Sequence, residues 1–454
     1  MNKRNNLFEP GKSIRLGISA IFVNTARRYF QMIGWLERHE KSCLLALIVL
    51  AGLIFTFYVL RSPTVNKDQR PDDPWTIALN LAQGKGYTAC SAGYFPFCAH
   101  TDQQTAMREP VMVLLFAAAA WLLGPSVSSA FLVELLLYLG ILILVYYLAR
   151  RIATLPAALL AAFFWVFYLP LGRLFQNNTG DLSATFWFAL GMIFFLRALR
   201  RPRLSDLLAA GVSAGLAALS RSALLAPAGI LFLFLLFGAL STNRPAPRWN
   251  FRPAAVFLIA LLLTLSPWLV RNQMVFSRPL MTSLSGYNLF RHNSPIQTSN
   301  YLRYVGPDEA EQRVQELLRA TPTLSGTENE AQMDTIYQRA ALQIIVAHPW
   351  RYLTLSLYRF FPLWFNVSVI DGWQQQDTLI LLQQIFLLVT ALVGAFRLRP
   401  HPWLFIFCIV SFNAAFMAVD AQIRYLTPLM PLVMCLSAAG LVHRPMAGVD
   451  PAPK

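Results

Sequence analysis

The chain has 454 residues, 56% of them hydrophobic and only 13% charged, and 38 basic against 22 acidic side chains give it a formal charge of +16. A soluble domain carries about 25% charged residues, so this composition excludes disorder, a collagen-like repeat and a coiled coil, and it argues against a water-soluble enzyme. The positive excess has two readings: an anionic partner such as nucleic acid, or the cytosolic loops of a membrane protein.

A spanning helix needs roughly 20 mostly apolar residues. In chain order, the runs that approach this length are 43–60, 127–149, 155–170, 183–199, 205–220, 224–241, 253–270, 378–396, 402–419 and 425–442. Ahead of them, in the basic N-terminal segment 1–42, Ile14, Ile18, Ile21, Phe22, Tyr29, Ile33 and Leu36 fall near one helical face beside Arg15, Arg27, Arg28 and Arg38. This pattern predicts a helix on the inner leaflet, with a plain cytosolic tail as the alternative. Two further apolar stretches, 110–124 and 352–370, are read as helices in the outer interface. The first is short, and the second holds Arg359 and Pro362.

The expected architecture is an all-α polytopic membrane protein of about 10 spans, within a range of about 9–12. A transmembrane module covers 43–270 and contains a first outer loop at 61–126. An outer, mainly helical region follows at 271–377, then C-terminal spans at 378–442 and a tail at 443–454. With both termini cytosolic, the inner segments hold 21 Lys and Arg against five acids, and the remainder holds 17 of each sign. The positive-inside rule therefore accounts for the net charge without nucleic acid.

Within the first outer loop, Asp73 suits a helix N-cap and Pro74 the first helical position, with Gly84 and Gly86 following the apolar stretch. The second outer region predicts helices at 308–320 and 328–347, separated by Pro322 and Gly326. Of the five cysteines (43, 90, 98, 408 and 435), none has metal-site spacing. Cys90 and Cys98 flank Gly93 and Pro96, and they could either close a small disulfide loop or stay free.

Groups able to do chemistry gather on the outer side. Asp68, Asp72 and Asp73 form the densest acid cluster, able to supply a general base, or only a cap and solvated charge. Arg108 and Glu109 precede the interfacial stretch, where an arginine could meet a lipid phosphate or simply snorkel to headgroups. Asp181 opens the fourth span, Arg221 sits in an outer turn and Glu134 lies inside the second span; ionisable groups at such depth are functional candidates by default. Arg271 and Asn272 stand at a membrane exit, ahead of Tyr287, Asn288, Asn293 and Pro295. Asp420, Arg424 and Tyr425 precede the last span, with Arg424 at headgroup level. No P-loop, dinucleotide fingerprint, nucleophile elbow or zinc motif occurs.

Nearly the whole chain resembles the GT-C glycosyltransferases, in particular the bacterial branch like protein mannosyltransferases and the lipid A aminoarabinose transferase (glycosyltransferase family 39-like). The resemblance rests on the first-loop acids followed by IALNLAQGKGY (77–87), REP, and a short helix ending in Gly124-Pro125-Ser126. It continues through Asp181, GLAALSRSALL (215–225), PWLVRNQMVF (267–276), GYNLFRHNSP (286–295), HPWRYL (348–353) and RYLTPLMP (424–431). It implies a GT-C-like bundle in a bacterial inner membrane, a sugar donor carried on polyprenyl phosphate, and a lipid, glycan or protein acceptor on the periplasmic face. Membrane lipids would be the other partners. No cofactor is expected, with a divalent metal left open.

By resemblance Asp72 is the first choice of base and Asp73 its neighbour, and Arg424, Arg271 and Arg221 are candidate phosphate contacts. Arg108, Glu109, Asp181, Asn288 and Tyr425 complete the expected substrate-binding set. The family places an aromatic residue about four positions after its acid pair, and here Trp75 and Ile77-Ala78 come about two residues too soon. Either the loop is shortened or Asp68 is the counterpart. A transporter or flippase is the alternative reading, but it predicts pseudo-symmetry and midplane charges, whereas this chain concentrates its polar groups at the outer edge. A glycan ligase would place its acids in the late loop, and a receptor or assembly factor has no distinguishing feature here.

Overall fold

The structure, a computed structural model, describes residues 31–61, 73–91, 94–98, 102–175, 180–201, 203–237, 251–321, 324–366, 375–398 and 402–442. Residues 31–36 are helical; the rest of the amphipathic segment 14–36, and the tail, lie outside that set. Among the described residues there is no sheet, only an isolated antiparallel bridge between Thr88 and Gln104. The chain is an all-α polytopic membrane protein.

In chain order the helices are α1 (Glu40–Leu60), α2 (Asp73–Ala82), α3 (Pro110–Leu123), α4 (Val127–Ile152), α5 (Leu155–Val166), α6 (Asp181–Arg200), α7 (Leu204–Ala218), α8 (Leu225–Phe237) and α9 (Phe251–Phe276). The long segment between α9 and the next long helix supplies α10 (Ser285–Asn293), α11 (Pro307–Ala320), α12 (Glu330–Ala347), α13 (Pro349–Tyr358) and α14 (Phe360–Phe365). The chain re-enters the bundle through α15 (Gln375–Arg397), α16 (Pro402–Met417) and α17 (Met430–Leu441). Proline opens α3, α13 and α16, where its missing N–H leaves no intrahelical bond unmade. Arg150 and Arg151 in the last turn of α4, and Arg197 and Arg200 in that of α6, complement the C-terminal dipole.

Every predicted span coincides with a helix, but six are long and apolar enough to cross a bilayer: Glu40–Leu60, Val127–Ile152, Asp181–Arg200, Phe251–Phe276, Asp377–Arg397 and Ile423–Leu441. The predicted spans 155–170, 205–220, 224–241 and 402–419 form the shorter helices Leu155–Val166, Leu204–Ala218, Ser222–Phe237 and Pro402–Met417. At 12 residues α5 measures about 18 Å, against a hydrocarbon core of about 30 Å. The apolar run 352–370 breaks at Arg359. That buried side chain donates to the carbonyls of His292 and Met417, a polar load that a straight span would strand in lipid.

The segment Ile423–Leu441 is almost wholly buried and occupies the middle of the bundle against α4, α5 and α15, whereas α1 lies at the periphery. Lipid gives helices no hydrophobic reason to associate, so close backbone approach has to do it. Gly211 and Gly215, one turn apart on α7, supply that approach. A Cβ at Gly211 would sit 2.5 Å from the Phe257 carbonyl oxygen, and one at Gly215 would sit 2.7 Å from Thr264 Cβ on α9. Polar locks finish the packing: Trp165 Nε1 donates to the Tyr138 carbonyl and the Tyr138 hydroxyl to that of Val166, each at 3.1 Å.

Outside the bundle, α12 begins with a reciprocal cap in which Asn329 accepts from the Gln332 amide and Gln332 from the Asn329 amide. The helix predicted over 308–320 is α11 and that over 328–347 is α12.

Candidate active site

Three connections between helices and the start of α6 meet in one place. The first is the segment before α3. Val111 N donates to the Leu219 carbonyl (3.1 Å), and Glu109 Oε1 accepts from Ser222 N (3.0 Å) at the turn between α7 and α8. The Tyr87 hydroxyl donates to the Arg108 carbonyl at 2.8 Å. Arg108 Nη2 then reaches Asp73 Oδ2 at the start of α2, 2.5 Å away. Burial works against the Arg108 charge, but the Asp73 carboxylate outweighs it and holds the guanidinium pKa above its usual value.

The second meeting point is the first turn of α6. Gly180 has φ +113°, and a Cβ there would lie 2.7 Å from the Ser220 carbonyl oxygen. Only glycine lets α6 begin against that turn. The following residue, Asp181, is fully buried and accepts from Arg221 Nε at 2.7 Å. Ser183 and Ser220 pair their hydroxyls across the same contact at 2.8 Å.

The third is the stretch before the last span. Tyr425 stacks on Phe416 with centroids 4.5 Å apart, and the Arg221 guanidinium lies 4.7 Å from the Tyr425 centroid. Arg424 lies 5.3 Å from the same centroid. Asp420 accepts from the Tyr425 hydroxyl (2.9 Å), Gln422 Nε2 (3.1 Å) and Ala421 N (2.7 Å), and His292 Nε2 stands 3.4 Å from it. Three buried polar atoms here, Asp181 Oδ2, Arg221 Nη2 and Arg424 Nε, make no hydrogen bond among the described residues, although Arg221 Nη2 stands in ion-pair contact with Asp181 Oδ1.

Between these connections lies a cavity of about 160 Å3. Arg108, Glu109, Arg221, Asn288 and Tyr425 line it directly, with Ser222, Thr282, Ser285, Phe416 and Asp420. Asp73 and Asp181 reach it through their arginine partners, and Arg424 through the Tyr425 ring. Residues widely separated in sequence thus form one polar, arginine-rich recess roofed by aromatic rings.

Arg271 is the exception. It donates to the carbonyls of Thr105 (2.7 Å) and Tyr87 (3.3 Å) and to Gln104 Oε1 (2.7 Å), and lies over Tyr87, Trp268 and Phe276. Most of its hydrogen bonds go to the first loop, with one more from Nη1 to Asn272 Oδ1 (2.7 Å), so it clamps that loop and does not line the cavity. Asp68 and Asp72 lie outside the described residues. Cys90 and Cys98 form a disulfide with their Cα atoms 5.6 Å apart. Glu134 is buried within α4. Among the described residues, no group of three His, Cys, Asp or Glu side chains is placed to hold a metal.

Sequence reading assigned no role to His292 and Ser222 and left Asp420 beside Arg424 without one. The only sequence cue was the polar run around each. Burial lowers the His292 pKa to about 4, with Arg291 and Arg359 adding to the shift and Asp420 opposing it. Burial would raise the Asp420 carboxyl, but His292, Tyr425 and Arg359 hold it below the usual range.

Residues 108–270 match the family described as dolichyl-phosphate-mannose-protein mannosyltransferase, a stretch that runs from Arg108 through Asp181 and Arg221 to the end of the first module. No curated protein sequence matches the chain significantly. Among solved structures, the archaeal oligosaccharyltransferase AglB from Archaeoglobus fulgidus, in complex with an inhibitory peptide and a dolichol-phosphate, superposes with a TM-score of 0.52 at 18% identity. That match covers 88% of this chain and 50% of the archaeal one, so the chain spans about half the length of that enzyme. The same archaeal enzyme in complex with Zn and sulfate gives a TM-score of 0.50 at 16% identity, covering 87% of this chain and 48% of its own. ArnT from Cupriavidus metallidurans bound to undecaprenyl phosphate aligns over 87% of this chain and 77% of its own at 12% identity; its TM-score of 0.40 is too low to carry the fold.

Proposed function

From a chain with the GT-C fold, we propose a membrane glycosyltransferase that takes its sugar from a polyprenyl-phosphate donor and delivers it to an acceptor hydroxyl at the outer membrane edge. The observation that carries this reading is the pair of largely buried guanidiniums, Arg221 and Arg424, that converge on Tyr425 beside the cavity, with the buried donor Arg424 Nε lacking a hydrogen-bond partner. Buried donors without partners are costly, and a phosphate is the acceptor whose charge and geometry suit guanidinium groups. The mannosyltransferase-family segment supports the same donor class, as does the dolichol-phosphate held by the archaeal relative.

In this reaction a carboxylate of the first loop takes the acceptor proton, with Asp72 as base, Asp73 beside it and Asp68 as the alternative. The acceptor oxygen attacks the anomeric carbon as the bond to the phosphate oxygen breaks, so the configuration inverts. The electron pair leaves with the polyprenyl phosphate, and the arginines offset the charge that develops there. Asp73, bound to Arg108, ties the base-bearing loop to the cavity wall. The site faces the periplasm of a bacterial inner membrane in this reading, and the Cys90–Cys98 disulfide suits that oxidising side. The acceptor is a lipid, glycan or protein hydroxyl.

The test is transfer from polyprenyl-phosphate sugars by purified protein, with mass spectrometry of glycans and lipids from cells with and without the gene. Asp72→Asn abolishes transfer and leaves expression and membrane insertion intact. Full activity in both Asp72→Asn and Asp68→Asn would remove the mechanism.

A further inference from the structure

Helix α12 lies behind the cavity and lines none of it, yet its first two turns hold the cavity's walls. Glu330 is buried, and its Oε2 accepts both from Ala106 N at 2.9 Å and from the Ser283 hydroxyl at 2.6 Å. Those two segments are already laced together, since Ser283 N donates to the Ala106 carbonyl (3.0 Å) and the Thr282 hydroxyl to that of Met107 (2.8 Å). Arg108 and Glu109 follow at once. One turn along α12, Asp334 accepts from Gly286 N at the start of α10, the helix that carries Asn288 to the opposite wall. The approach is tight: a Cβ on Gly286 would fall 2.0 Å from the Asp334 carbonyl oxygen. The space between the two carboxylates, about 10 Å3, admits at most one water, so this joint binds no substrate.

The geometry points to Glu330 as a positioning residue for the transferase, a buried carboxylate that sets the register of residues 105–109 and thereby the placement of Arg108 and Glu109 in the cavity. The role rests on the transferase reading for what the cavity binds, and on the hydrogen bonds alone for how its wall is held. A neutral apolar side chain at 330 would leave the Ala106 amide and the Ser283 hydroxyl without their acceptor. Glutamine keeps an oxygen in the same position. Asp334 and the Asn329–Gln332 cap hold α12 itself in place, so removing the Glu330 carboxylate shifts the wall without releasing the helix.

The test compares Glu330→Ala with Glu330→Gln in the full-length protein, by steady-state kinetics and by hydrogen–deuterium exchange. Misplacing a binding group by about 1 Å can cost about 100-fold in rate, so Glu330→Ala lowers kcat by about 10-fold or more and Glu330→Gln restores it to near the wild-type value. Exchange at the amides of 106–109 rises in the alanine variant alone, while the midpoint of thermal unfolding stays near that of the wild type. Wild-type exchange at 106–109 in Glu330→Ala would overturn the proposal. So would equal losses in both variants, or an unfolding midpoint that falls in step with activity. If the wild type transfers no sugar, the transferase reading fails, and exchange at 106–109 still decides whether Glu330 holds the cavity wall.

Discussion

Arg221 Nη2 lies 2.5 Å from Asp181 Oδ1, and the Asp181 side chain is completely buried. Removing one partner of a buried ion pair strands the other, at a cost of about 3–5 kcal/mol. Asp181→Asn and Arg221→Met are therefore each expected to lower the unfolding midpoint in detergent and to abolish transfer. The double variant Asp181→Leu with Arg221→Met removes both charges, so much of the stability returns while transfer stays absent. A double variant as unstable as either single one would show that the pair is not what makes the single changes costly.

Arg271 and Arg424 look alike from the sequence, as arginines at the outer ends of spans, but the structure gives them different partners. The clamp formed by Arg271 on Tyr87, Gln104 and Thr105 predicts that Arg271→Ala speeds proteolysis or hydrogen exchange in 87–105 and leaves undecaprenyl phosphate affinity close to wild type. Arg424→Ala should do the reverse, weakening that affinity by about 10-fold for one lost charge-assisted contact. Titration of purified protein with undecaprenyl phosphate separates the two.

The sequence made the bundle legible because a span is a one-dimensional signal, a long apolar run bounded by charge. That signal located α1, α4, α6, α9 and α15, and it set 352–370 apart from the spans through Arg359 and Pro362, where the helix breaks at Arg359. It overstated α5, α7 and α16, because hydropathy continues past the point where Tyr168, Ser220 or Ala418 leaves the helix. The site was legible as residue types but not as pairs. Asp73 meets Arg108 and Asp181 meets Arg221 across 35 and 40 positions of sequence, and no periodicity links such residues. His292 comes from α10 and Asp420 from the connection after α16, and Glu330 read only as one polar residue in a helical stretch. A long side chain at a membrane exit serves a headgroup or a loop carbonyl equally well, which is why the sequence did not separate Arg271 from Arg424.

The charge distribution predicts an orientation that can be tested without any activity. Gln312 is exposed on α11 and Arg201 is exposed just beyond α6. Of the native cysteines, Cys408 and Cys435 are buried and Cys90 is bonded to Cys98, and the half-buried free Cys43 is replaced by serine in the background. Gln312→Cys is expected to react with an impermeant thiol reagent in intact cells, and Arg201→Cys only after permeabilisation. The opposite labelling would invert the topology and place the cavity on the cytosolic side.

Two buried groups of the outer region make opposite contributions to acid stability. Burial holds His292 neutral, with a pKa of about 4 against an ordinary value of 6.5, so acidification through that window protonates the unfolded chain first and the fold loses stability. The full difference amounts to about 3 kcal/mol. Burial raises Asp334 from 3.8 to about 6 against the pull of the Gly286 amide and Arg278, so its contribution is fully present below 3.8 and is lost as pH rises through about 6. That is also about 3 kcal/mol, of opposite sign. Asp420, held below the usual carboxylate range, titrates beneath this window and does not enter. Glu330, its carboxyl also raised by burial, acts on the same side as Asp334, so between about pH 6.5 and about pH 4.5 the wild type should lose less in unfolding midpoint than His292 alone would cost it. His292→Gln removes the acid penalty and should gain stability on acidification relative to the wild type, whereas Asp334→Asn removes the compensating gain and should lose it. Thermal unfolding of the three proteins at both pH values checks the signs, and parallel pH dependence in all three would exclude His292 and Asp334 as the opposing pair.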